Sequence, residues 1–261
     1  MGFDTEGFRG SSGISIREAQ LQRHDKLFMF AESCSKLAVE ITTLLPKSRG
    51  KTKLVISLYF ARCTSNFQAA VCLAEGGMTI EALGIARGLL ETFFVLNALA
   101  EEAVTAEELI THDYASRRKH ANAILGKVNI YENAAPFEKK LRDFVAEKAG
   151  STEINFQSLA TKGKALAIYD GLYRHLSHHA AHPSLSATEP YLVELPSGQS
   201  HVQFRPILDY TQRAVLSACA GILISCFACD KAGIRTPETN AAGTHLWEVY
   251  ETLYAAYDPW A

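Results

Sequence analysis

Apolar residues recur at helical spacing along most of the chain. From Ser15 to Leu45 they fall at Leu27, Phe30, Ala31, Cys34, Leu37, Ala38, Ile41, Leu44 and Leu45, and Pro46 ends the run. A second run from Lys53 to Glu75 sets Leu54, Leu58, Ala61, Ser65 and Cys72 on related faces and stops at Gly76-Gly77. The two predict an antiparallel helical hairpin joined through residues 46–52. Thr79 is placed to cap a third helix reaching about Glu102, with Glu81 in its first turn, and Ile80 to Ala100 is apolar nearly all round. A helix without a polar face belongs in the middle of a bundle, so this one is expected to be the most buried. Thr105-Ala106-Glu107-Glu108 has the form of a capping box and opens a polar fourth helix towards Asn129, with a thin apolar stripe at Leu109, Ala123 and Ile124.

Further along, residues 136–149 make a short amphipathic pattern around Phe137, Leu141, Phe144 and Val145, and 151–164 read as a mixed connector. Residues 165–181 then predict a helix with Leu166, Tyr169, Leu172, Tyr173 and Leu176 on its apolar side, ended by Pro183. After it the period changes: 191–195 and 201–204 flank Pro196-Ser197-Gly198-Gln199 as a small β-hairpin. An oily helix over 207–232 and an amphipathic one over about 245–257 complete the pattern. The expected fold is an all-α, single-domain helical bundle over 16–261 with a small hairpin near 191–204, preceded by a loose arm over 1–15.

Composition narrows the setting. The formal charge of −2 supplies no global positive field for nucleic acid, so a polyanion would have to be held by a local patch. Met1 to Ser15 lacks the apolar core of a signal peptide. The apolar stretch Ala214–Cys229 is about 16 residues, short of the roughly 20 needed to span a bilayer, which favours a core helix over a membrane segment. Six cysteines inside apolar segments, without the spacing of a secreted disulfide framework, point to a reducing compartment and hence to the cytoplasm. Cys226-x-x-Cys229 lies within the oily helix rather than opening one after a strand, which argues against a redox pair.

The densest chemistry is Tyr173-Arg174-His175-Leu176-Ser177-His178-His179-Ala180-Ala181-His182-Pro183-Ser184, which holds four of the nine histidines beside an arginine. On a continuous α-helix Arg174 shares a face with Ser177 and His178, and His178 with His182. Arg87 and Glu91, four apart in the oily third helix, are either a structural ion pair or the charged part of a pocket. Asp113 and Arg117, with His120 one turn on, are either a solvated face or a wall of the histidine site. Imidazoles four apart can ligate zinc, but no third ligand is set by spacing and no His-Glu-x-x-His pattern occurs, so no cofactor is expected. Histidines and arginine also suit metal-independent RNA phosphodiester cleavage, which needs a base, an acid and a cation for the phosphorane. The bland alternative is that the histidines cap helix carbonyls.

Arg174 followed by polar His175 and then His178 and His179 resembles the R-x4-6-H signature of the HEPN ribonuclease superfamily, small helical bundles found in toxin–antitoxin and phage-defence systems. On a regular helix Arg174 and His179 diverge by about 140°, which makes His178 the better partner. That resemblance implies RNA as substrate, an antitoxin or defence protein as partner, and a homodimer. A broader resemblance rests on Arg87-Gly-Leu-Leu-Glu91, Leu172-Tyr-Arg-His-Leu-Ser177 and His182-Pro-Ser184. Together these are similar to a family of bacterial helical domains of unknown function, the one numbered 5677, over roughly residues 50–230. It implies that Arg87, Glu91, Tyr173, Ser177 and His182 belong to one pocket, and it implies no activity. The expected function is therefore a HEPN-like endoribonuclease or toxin effector, with Arg174 on the phosphate, His178 and His182 as acid and base, and Arg87 and Glu91 orienting them. Tyr173, Ser177, His175, His179, Asp113 and Arg117 would contact substrate. The competing class is a non-catalytic domain that binds a nucleotide, a small anion or a protein.

Overall fold

The computed structural model describes residues 3–45, 50–127, 135–178 and 185–257. Its main helices are α1 Ser11–Arg23, α2 Asp25–Leu44, α3 Lys51–Glu75, α4 Thr79–Ala100, α5 Ala106–Leu125, α6 Ala135–Glu147, α7 Phe156–Lys162, a composite α8 over 166–178, α9 Thr211–Lys231 and α10 Pro237–Ala255. Strands β1 Leu192–Glu194 and β2 Ser200–Val202 form an antiparallel hairpin with Leu192 opposite Val202. The architecture is the all-α bundle that the periodicity predicts.

α4 occupies the centre because it has almost no polar face to offer water. Leu83, Ala86, Leu89, Leu90, Phe94, Leu96 and Leu99 are each 1% exposed or less. It packs against α3, α9, α7 and α8. α9, equally oily, also covers α2, α3 and α10. Both are long and apolar enough to cross a membrane, yet 72% and 78% of their most apolar windows lie inside the molecule, where they form its core. Gly221 lets α9 approach α4: a Cβ there would fall 2.2 Å from Leu89 Cδ2.

At the α3–α4 turn, Gly77 takes a φ of +77°, which favours glycine, and its carbonyl accepts from the Ile207 amide at 3.0 Å. Thr79 is not the cap of α4, because Met78 stands at that position and the Thr79 hydroxyl donates to the Ile207 carbonyl instead. Thr105 does close the capping box of α5, accepting from the Glu108 amide at 3.1 Å.

Several expectations change. The run from Ser15 to Leu45 is two helices, broken at His24. Within the expected loose arm, residues 3–9 and 11–15 are helical, and the rings of Phe3 and Phe8 lie 5.5 and 5.6 Å from Phe204. α3 turns Ile56, Phe60, Cys63, Phe67, Ala70 and Ala74 inward, whereas Leu54, Leu58, Ala61, Ser65 and Cys72 are exposed. The bulkier aromatic side wins the core. The last helix starts earlier than its apolar pattern, at Pro237 behind the Thr236 cap.

The histidine helix also departs from a regular α-helix. Tyr169–Tyr173 is π-helical, with the Arg174 amide bonded to the Tyr169 carbonyl, and residues 177–178 are again π-helical. His179 and His182 lie outside the described residues. Among the cysteines, Cys34, Cys63, Cys219, Cys226 and Cys229 are buried free thiols. Burial pushes the Cys63 thiol up to about 12 and raises Cys226 and Cys229 as well, so the Cys226-x-x-Cys229 pair is protonated and inert at neutral pH.

Candidate functional site

Two elements meet at the site. α4 presents Arg87 and Glu91 one turn apart, and the π-helical turn of α8 brings Tyr173 and Ser177 over them. α8 is held there by rings: Phe94 of α4 lies 5.8 Å from Tyr169 and 5.6 Å from Tyr173, and the two tyrosines stack at 5.0 Å. Upstream, the Asn97 amide of α4 donates to the Gly163 carbonyl at 2.6 Å, which anchors the α7–α8 turn.

The polar groups form a closed network. Arg87 Nε donates to Ser177 Oγ at 2.9 Å, and Arg87 Nη2 donates to Tyr173 Oη at 3.0 Å. Nη2 also lies 3.0 Å from Glu91 Oε1, the oxygen that accepts the Tyr173 hydroxyl at 3.0 Å. The guanidinium sits 5.1 Å from the Tyr173 ring centroid. Ser177 Oγ completes the circuit by donating to the Tyr173 carbonyl at 2.9 Å. Each group is used in its proper sense, so the half-buried ion pair, 21% and 23% exposed, is satisfied rather than stranded. Burial first, and then the Glu91 charge, raise the Tyr173 phenol above its ordinary value, so it remains a donor to Glu91.

The other sequence-predicted residues lie elsewhere. Arg174 points outward, 69% exposed, with Nη1 3.6 Å from Asp170 Oδ1. Asp170 lies one turn before Arg174, and that spacing is the signal by which the pair is legible in the sequence. His178 is exposed and His175 half-buried on the same helix. Asp113 and Arg117 pair with each other at 2.8 Å on the open face of α5; partial burial first, and then the Asp113 charge, raise the half-buried Tyr59 phenol of α3. His112 accepts the Ile154 amide at 2.9 Å and so fastens the connector before α7. The structure thus joins Arg87, Glu91, Tyr173 and Ser177, and gives Asp113 and Arg117 partners away from them. Among the described residues, no three His, Cys, Asp or Glu side chains gather as a metal-ligand set.

Residues 53–200 match the family of unknown function DUF5677, more than half of the chain. The chain belongs to this family. Neither a curated protein nor a solved structure matches it. The DUF5677 region holds every member of the network, from Arg87 on α4 to Ser177 on α8. It stops before α9, the helix that covers α3 and α4.

In chemical terms the network within the DUF5677 region is self-satisfied. The Arg87 charge is balanced by Glu91, and its Nε and Nη2 are engaged within the protein. The network ties α8 to α4 through Tyr173 and Ser177.

Proposed function

We propose that this chain is a HEPN-like, metal-independent endoribonuclease of the toxin or defence-effector kind, acting along the outer side of α8. The observation that supports this is the Arg87 grip: its bonds of 3.0 and 2.9 Å fall on Tyr173 and Ser177, the two residues that bracket Arg174-His175-Leu176. Arg174 and His178, one turn apart and both exposed, then face solvent from a braced stretch of helix. In the proposed reaction one histidine of the pair His178 and His182 takes the proton of an RNA 2′-hydroxyl. The 2′-oxygen attacks phosphorus, and the other histidine protonates the departing 5′-oxygen. The products are a 2′,3′-cyclic phosphate and a 5′-hydroxyl, and the proton count closes without water. Arg174 exchanges its weak pairing with Asp170 for the phosphate oxygens. Arg87 and Glu91 act through α8 as positioning residues, and Tyr173 and Ser177 belong with them rather than with substrate. RNA, an antitoxin or defence protein, and a cytoplasmic setting go with this reading.

The test is incubation of mixed RNA with purified protein, with and without EDTA. Fragments ending in cyclic phosphate are expected, indifferent to chelation. His178→Ala combined with His182→Ala should slow cleavage about 100-fold or more, and undiminished cutting by that variant removes the assignment. The exposed Arg174–Asp170 pair equally suits a non-catalytic anion or nucleotide site, and RNA retained without turnover would transfer the conclusion to that class.

A further inference from the structure

α3 carries a second organised face that the described chain leaves largely open, touching it at Gln68, which donates to Ser35 Oγ of α2 at 3.0 Å, and at its charged ends. Beyond its buried side, Lys51, Leu54, Leu58, Ala61, Ser65, Gln68 and Cys72 are exposed, with Leu54 at 45% and Leu58 at 62%. Glu75 follows one turn later, 15% exposed at its side chain. The spacings alternate three and four throughout, which is the repeat of a helix-pairing seam. At 3.6 residues per turn, positions 54 to 72 fall within an arc of about 80° on a helix about 36 Å long.

The order of residues along this seam indicates its occupant. The spacings read identically from either end about Cys63, so an antiparallel copy of α3 lays the seam on itself. Leu54 then meets Cys72 of the second copy, Leu58 meets Gln68, and the small residues Ala61 and Ser65 meet at the middle, where two backbones come closest. At the ends Lys51 meets Glu75, so the charges complement each other in this antiparallel register. In a parallel pairing each charge would face its own kind. Lys51 is paired with Glu107, but both are more than half exposed, and such bonds exchange at little cost. Glu75 holds Arg17 and retains oxygen lone pairs for a second cation. Cys72 also borders a groove of about 560 Å³ lined by Phe28, Met29 and Val71, which offers an apolar hole to the incoming Leu54.

We infer that the protein forms a two-fold symmetric homodimer through antiparallel contact of α3 with α3. This rests on the seam and not on the RNA reading, and its test does not use RNA. Light scattering of the full chain across micromolar concentrations is expected to show a dimer, and a monomer throughout overturns the inference. Leu58→Glu, at an exposed position that leaves the fold intact by circular dichroism, should weaken association about tenfold or more. Under mild oxidation Leu54→Cys should crosslink rapidly to the native Cys72 of the other copy, and Cys72→Ser in that variant should abolish the product. Crosslinking of the unmodified protein through Cys72 alone would mean a parallel or unrelated contact and would overturn the antiparallel seam.

Discussion

Tyr173 is the residue on which the α4–α8 contact depends, since its ring packs on Phe94 while its hydroxyl links Arg87 to Glu91. Tyr173→Phe keeps the ring and removes the hydroxyl, so it should cost about 1–2 kcal/mol at pH 7 by urea unfolding. The pH dependence follows from the raised phenol. A group whose folded value lies above its unfolded value of about 10 stabilises fully below that pH and loses its contribution as pH rises through the folded value. The gap between wild type and Tyr173→Phe should therefore narrow above about pH 10, and a gap that widens there contradicts the network. Half of this site was legible beforehand. Two charges four apart in an oily helix announce a pair, but nothing in local spacing says that a tyrosine and a serine more than eighty positions later satisfy it. Those came from the family resemblance, because long-range pairing leaves no mark on local periodicity.

Among the elements, α3 and α8 show where periodicity stops being informative. α3 has apolar residues on two faces, and helical spacing is equally good for both. Phe60 and Phe67 decide which turns inward, since each removes more area from water than the leucines opposite. In α8 the apolar positions fit a regular helix, and the π-helical turn emerges only where Tyr169 and Tyr173 stack together against Phe94. The contact of α4 with α9 was predicted only as two oily helices that had to be buried. Its closeness rests on Gly221, where a methyl group would meet Leu89. Gly221→Ala should destabilise by about 1–3 kcal/mol. Combining it with Leu89→Ala, which opens room, should cost clearly less than the sum of the two, read by urea midpoints. Simple additivity would show that the two helices do not meet there.

At the scale of the whole molecule, Glu101 holds three segments at the end of α4, bonding Lys164 at 2.8 Å and also Lys231. Those two bonds hold its carboxyl below the usual range. A carboxyl with a depressed folded value stabilises above its unfolded value of about 4.3 and loses that contribution as pH falls through the folded value. Glu101→Gln should accordingly lower Tm at pH 7, and the deficit should shrink as pH falls below about 4 and through the folded value; a deficit that stays constant down to acid unfolding would assign Glu101 no charge-dependent role. The DUF5677 region ends before α9, whose Val215, Ile222 and Leu223 are fully buried in the core. A fragment of residues 53–200 should therefore bind an apolar dye and unfold without a cooperative transition. A sharp thermal melt of that fragment would show that α9 is dispensable.

Taken alone, the sequence determined the helical class, the central place of α4, the capping box at Thr105, the small hairpin and the Arg87–Glu91 pair. Each of these is encoded within a few turns by period, capping residues or spacing. Only the tertiary structure decided which face of α3 is covered, that α8 winds as a π-helix, and that Tyr173 and Ser177 close on Arg87. It alone left Arg174 outside that network. These are choices between locally equivalent arrangements, and they are settled by which surfaces fit when distant helices pack.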